Sequence, residues 1–239
     1  MEFSIRRVSA LLNKEIKDLS KNMNVSIMFL LPIFFAVIYS NMFGGNSAEK
    51  IYIFNLCLGM NIGMVCAFVM AMLIAEEKEK KTLRTLMISG VSPLEFFTGK
   101  ALITFFMSEI INVAIFFIFK MNIQYLGKYI LLSTLVVFSM IGIGGIIGII
   151  SSNQMATGVV GMPVLMIFFM IPMFAKVNKT LTKIAEILPN YNMNLMLEKV
   201  FKGETIGIGY TYSIAVILAW IIITVALFAF TYSKIGIDK

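Results

Sequence analysis

Histidine is absent from all 239 residues. That removes histidine-ligated zinc sites and the Ser-His or Cys-His dyads of nucleophilic catalysis. Charge is scarce as well: 14% of residues are Asp, Glu, Lys or Arg and 59% are hydrophobic, whereas a soluble domain carries about a quarter charged and about half apolar. A water-soluble fold is excluded. The two cysteines, Cys57 and Cys66, fall in one apolar run. Along a helix they stand roughly 13 Å apart, too far for a disulfide. No GxxxxGK[ST] phosphate loop is present, because Gly99-Lys100 is followed by Ala101 and lacks the earlier glycine. Acidic pairs are confined to one charged segment, where helix pairing explains them. No catalytic residue, no metal site and no cofactor are therefore expected in this chain, and an enzyme has little to stand on.

Long uncharged runs are what the chain does have. A hydrocarbon core about 30 Å thick needs roughly 20 apolar residues of helix. Six such runs occur, from Val25 to Phe43, Ile51 to Ala75, Ala101 to Phe119, Tyr129 to Ile150, Ala156 to Phe174 and Thr211 to Tyr232. They are apolar all round, unlike the shorter alternating strands of a membrane barrel. The sequence predicts an all-α integral membrane protein with six transmembrane helices, forming one transmembrane domain over residues 1–239. The first run is longer than a signal-peptide core and no A-x-A-like site follows it, so it is expected to remain as a span.

Formal charge is +7, and its distribution argues against nucleic acid as a partner. Arg6, Arg7, Lys14, Lys17 and Lys21 precede the first run, and Lys78, Lys80, Lys81, Arg84 and Lys100 lie around the link between the second and third. By the positive-inside rule both termini are expected in the cytoplasm. Residues 44–50, 120–128 and 175–210 then face outward. The last of these carries Lys176, Lys179, Lys183, Lys199 and Lys202, which opposes the rule, but the early loops usually dominate orientation.

Residues 1–24 read as an amphipathic interface helix. Val8, Leu12, Ile16, Leu19 and Met23 recur at helical spacing opposite most of the cations, a pattern suited to the headgroup layer or to a docking partner. Residues 76–100 read as a projecting helical hairpin. Glu76 with Lys80 and Glu77 with Lys81 have i,i+4 spacing, Ser89-Gly90 supplies a stop, and Ser92-Pro93-Leu94-Glu95 has the form of a capping box with Pro at N1. Leu83, Leu86, Met87 and Ile88 put apolar side chains at its tip, for a partner's groove or for the headgroups. The link Ser151–Met155 permits only a tight turn. Residues 175–210 suggest two short re-entrant helices, Thr180–Leu188 and Met193–Phe201, separated by a Pro189-Asn190 break. Gly59/Gly63 and Gly144/Gly148 have the GxxxG spacing of close helix contacts.

Glu109 is the one ionisable residue deep inside a run, where a charge is costly unless paired, hydrated or protonated. Ser108 and Asn112 lie beside it. Glu109 and Asn112 are candidates for lining a translocation pathway, and a neutral Glu satisfied by a neighbouring helix is the structural alternative. The 19 methionines suit either adaptable walls for apolar cargo or ordinary membrane packing.

The order of these elements resembles the bacterial ABC-2 type transporter permeases over essentially the whole chain. Its most specific part is Glu76-Glu77-Lys78-Glu79-Lys80-Lys81-Thr82-Leu83, followed by Ser89-Gly90-Val91-Ser92-Pro93 and Gly99-Lys100, which looks like the family's E-x-E-x-x-T-L…S-P-x-x…G-K stretch. Lys80-Lys81 stands where an Arg-Gly pair is frequent. Leu188-Pro189, Glu198 and Gly203 match the outer region more loosely.

The resemblance implies that Glu76, Glu77, Glu79, Lys81, Thr82, Leu83, Leu86 and Met87 couple to a separate ATPase subunit. Two copies of that subunit would bind ATP and Mg and work with two permeases, this chain and an identical or paralogous one. It implies an exporter in the bacterial cytoplasmic membrane, surrounded by lipid. The Met/Phe-rich spans and small size point to a hydrophobic or amphipathic peptide or drug as cargo. The competing reading is an energy-independent channel or a toxin-immunity membrane protein.

Overall fold

A computed structural model describes residues 3–19, 21–42, 47–204, 207 and 210–235. Among them no strand occurs, and six helices are long and apolar enough to cross a bilayer. The expected end of the first run at Phe43, residues 44–46 of the loop after it, and 205, 206, 208 and 209 near the last run lie outside the described residues.

The chain begins with α1 (Ile5–Leu19) and enters the first span, α2 (Met23–Met42). The second span, α3, is α-helical over Ser47–Met60, π-helical over Asn61–Val69 and α-helical again over Met70–Glu79. A short α4 (Thr82–Ile88) completes the hairpin. The remaining spans are α5 (Pro93–Ile118), α6 (Leu126–Ile150), α7 (Gln154–Phe174) and α10 (Thr211–Ile235), with α8 (Lys179–Ala185) and α9 (Pro189–Phe201) between the last two.

Spans α3 and α6 are the most enclosed, while α2, α7 and α10 turn most of their surface outward. Glycines on α6 explain why it can be central. A Cβ at Gly144 would overlap the Ala67 carbonyl, and one at Gly148 would stand 2.7 Å from the Ala71 carbonyl oxygen. On the neighbouring face, a Cβ at Gly145 would lie 2.7 Å from Phe97 and 3.0 Å from Phe228. Small residues thus admit α3 on one side and α10 on the other, the packing device of helices that lack a hydrophobic drive between them. Of the two GxxxG pairs, Gly144/Gly148 makes a close helix contact, whereas Gly63 has open space around it.

Sequence signals set most of the boundaries. The Ser92 hydroxyl accepts from Glu95 N and the Glu95 carboxylate from Ser92 N, so the capping box opens α5 with Pro93 at N1. Asn153 caps α7 by accepting from Ala156 N at 2.8 Å, and Asn178 caps α8 by accepting from Thr180 N at 2.9 Å. At the second of the two short helices the structure differs from the expected break. Pro189 opens α9 as its first residue, because a proline's missing N–H costs nothing at N1.

This end of the molecule is tied down by polar side chains. Trp220 Nε1 donates to the Ile187 carbonyl at 2.7 Å, Asn192 Nδ2 to the Glu186 and Leu188 carbonyls at 2.7 and 2.9 Å, and Asn190 Nδ2 to the Phe168 carbonyl.

Candidate functional site

At the hairpin end, α1 packs across the start of α5. Leu11 fills the space left by Gly99, where a Cβ would come within 2.8 Å of the Leu11 Cβ. The face that α1 buries is Val8, Leu11 and Glu15, while Ile16 and Met23 are exposed. Of the expected stripe, Val8 is buried and Leu12 and Leu19 are half-buried against the core, whereas Ile16 and Met23 face outward. A buried carboxylate, Glu15, holds the inner side instead.

That carboxylate belongs to a charge cluster. Lys100 is only 2% exposed, and its ammonium donates to Glu15 Oε1 at 2.7 Å and to Glu77 Oε1 at 3.1 Å. Glu77, 3% exposed, also pairs with Lys14 and accepts from the Thr82 hydroxyl. Two carboxylates and two ammonium groups give a cluster of zero formal charge, in which removing one partner leaves a buried charge uncompensated. It joins α1, the end of α3, the start of α4 and the first turns of α5.

A second tie repeats the arrangement. Glu95 accepts from Ser4 N at 2.6 Å and stands 3.5 Å from the Arg7 guanidinium, which also donates to the Gly90 carbonyl at 2.8 Å.

The sequence-predicted coupling residues take three different positions. Glu76 accepts from Asn22 Nδ2 at 3.0 Å and pairs with Lys80, whose pKa the Glu76 carboxylate raises. Glu79 accepts from Gln154 N at 3.0 Å, and Lys78 Nζ donates to the Ile149 carbonyl at 2.6 Å, which fastens the hairpin to the α6–α7 turn. The expected Glu77–Lys81 pair gives way to the buried cluster, because the helix ends before Lys81 can reach back. Lys81 is exposed and turns the chain at φ 57°, in the left-handed region where glycine is at ease.

Leu83, Leu86 and Met87 are half-buried against the chain's own core, together with Val91. The apolar side chains that face outward here are Ile88 and Leu94, 78% and 55% exposed, with Phe3 and Ile5 on the segment tied to Glu95.

Deep in the spans a polar cluster forms around the π-helical stretch. Asn61 Nδ2 donates to the Ser108 carbonyl and hydroxyl, both at 3.1 Å, and to Asn112 Oδ1 at 2.7 Å. The Cys66 thiol lies 2.9 Å from the Ser108 hydroxyl, and the Tyr129 hydroxyl donates to the Asn112 carbonyl at 3.1 Å. Glu109 is half-buried at the cluster's edge. Its Oε1 accepts from Asn112 Nδ2 at 3.5 Å, and Oε2 has no partner within the described residues. The structure thus brings Glu109 and Asn112 together, with Asn112 turned inward and fully buried.

The family model described as ABC-2 family transporter protein matches residues 45–230, which spans α3 to α10. The chain belongs to the ABC-2 transporter family. It is a multi-pass membrane permease of an ABC-type transporter, a transport subunit that is not itself catalytic. No curated protein matches the chain.

In this ABC-2 permease, sequence reasoning about the hairpin missed Glu15, Lys14, Arg7, Asn22 and Gln154 altogether. It placed Lys100 only among the cations flanking the spans and as half of a Gly-Lys motif. A signal was available for two of them: Glu15 sits on the apolar side of α1, and Lys100 stands at the start of an apolar run whose only charged residue is Glu109, so each needed a partner. The π-helical stretch had no comparable signal.

Proposed function

We propose that this permease forms half of the pathway of an ATP-driven exporter, and that the hairpin end docks a separate ATPase subunit. ATP and Mg would bind to that partner, present in two copies beside two permeases. The observation that carries the reading is the buried Lys100–Glu15–Glu77 cluster. A hairpin that served only as a loop would not need to be locked through buried charge to an interface helix and to the first turns of a span. Force applied at α4 would pass through Glu77 and Lys100 into α5, and through Glu15 into α1.

On this reading Glu76, Glu77, Glu79, Lys81, Thr82, Leu83, Leu86 and Met87 act mainly by shaping the coupling surface, and Ile88 and Leu94 touch the partner. Both termini and the hairpin lie in the bacterial cytoplasm, which the cations on α1 and the hairpin support. Helices α8 and α9 then form a re-entrant cap in the outer leaflet. The enclosed polar cluster at Asn61, Asn112 and Glu109 supports a pathway-lining or gating role near mid-membrane. The apolar outer faces of α2, α7 and α10, with exposed methionines concentrated on α7, favour a hydrophobic or amphipathic peptide or drug as cargo.

The test is recovery of ATPase activity with tagged permease from its native membrane, wild type beside Ile88→Asp. Ile88 is exposed, so the variant keeps its own fold. Wild type is expected to bring down an ATPase that the variant loses. No ATPase with either, from folded protein, would put the energy-independent channel or immunity protein first.

A further inference from the structure

At the end of the molecule away from the hairpin, a cavity of about 80 Å³ lies between α3, α7 and α9. Leu56, Phe169 and Met173 give it apolar walls. Three asparagines also line it, Asn55, Asn190 and Asn194, and the side-chain oxygen of each is buried without a hydrogen-bond partner. Asn55 and Asn190 are 9% and 5% exposed. Asn190 cannot turn its amide to cover the deficit, because its nitrogen is spent on the Phe168 carbonyl.

An unmet buried amide oxygen costs roughly 1–3 kcal/mol, and a fold that gathers three around one cavity keeps them unmet for a reason. All three are acceptors. The charged residues at the rim do not change that demand: Glu198 lies 3.2 Å from Lys176 and pairs with it. What complements the cavity is therefore a neutral donor on an apolar body, since an ammonium group would bring a desolvation cost that uncharged carbonyl oxygens repay poorly.

We propose that this cavity is a binding subsite for the backbone N–H groups of an apolar peptide segment. The volume is small against the several hundred Å³ of a whole-ligand pocket, so the subsite holds one side-chain-sized end of such a ligand, with the amide donors facing Asn55, Asn190 and Asn194. The biological sense of the site rests on the transport reading, but binding itself does not involve the ATPase.

The test uses the permease from its native membrane, reconstituted in lipid nanodiscs, and a dansylated trileucine amide as probe. Its partner probe is the depsipeptide in which esters replace the internal amides, which removes the N–H donors and keeps the shape. Fluorescence titration is expected to show the amide binding at least about fivefold tighter than the ester, the worth of one net hydrogen bond. In the Asn55→Leu/Asn194→Leu variant, which keeps only the Asn190 acceptor, that ratio should fall by about half or more, with the thermal midpoint unchanged or raised. Equal affinity for the two probes in the wild type, or a ratio that persists in the variant, would overturn the proposal and leave water as the partner of these oxygens. Ile88→Asp separates the two claims: it should lose the ATPase and keep the amide preference.

Discussion

Lys100 sits where a lone cation could not remain charged without cost, and its two carboxylate partners would be equally stranded without it. Lys100→Met is expected to destabilise the protein by about 3–5 kcal/mol, the usual consequence of removing one member of a buried pair. Arg7→Ala, at a half-exposed guanidinium 3.5 Å from Glu95, should cost no more than about 1 kcal/mol. Thermal unfolding of the detergent-solubilised protein checks the order, and equal losses would mean that the cluster is not special. Lys81 gives an opposite expectation. Its φ of 57° is strained for an L side chain by roughly 1–2 kcal/mol, and the resemblance places a glycine there. Lys81→Gly should therefore be neutral or stabilising by up to about 1 kcal/mol in the same assay, because glycine's extra freedom in the unfolded chain offsets part of the relief.

Among the elements, the contact between α3 and α6 depends on glycines that no apolar residue can replace. A methyl group at Gly144 would meet backbone rather than a movable side chain, so Gly144→Ala should cost about 1–3 kcal/mol by overpacking. Gly63→Ala, with open space around it, should change stability by no more than about 0.5 kcal/mol. The six spans, the capping box of α5 and the turn before α7 were legible because apolar run length and capping chemistry are local properties. The α9 boundary was misread at Pro189 for a local reason too, since proline both breaks helices and begins them.

What stayed illegible was decided between elements. Nothing near Glu77 in the chain shows that Lys14 and Lys100 converge on it rather than Lys81, and nothing beside Asn61 shows that α3 shifts to π-helical geometry where Ser108 and Asn112 meet it. Asn61 makes three of the cluster's hydrogen bonds, and membrane-embedded bonds of this kind are worth about 0.6 kcal/mol each. Asn61→Leu is thus expected to cost about 1–2 kcal/mol, and a neutral result would leave the π-helical stretch to packing alone.

Taken whole, the molecule has two polar ends joined by an apolar bundle. One end is locked by buried ion pairs and shows a small apolar surface; the other is capped by short helices over a cavity with unmet acceptors. That asymmetry fits a permease driven from one side and open to ligand on the other. Site-specific photo-crosslinking in the native membrane tests it most directly, with a photoreactive benzoylphenylalanine placed at position 88 in one sample and at exposed position 123, at the opposite end, in another. The account predicts that the probe at 88 captures an ATPase subunit and the probe at 123 does not. Capture of the ATPase from position 123, or of lipid alone from position 88, would contradict it.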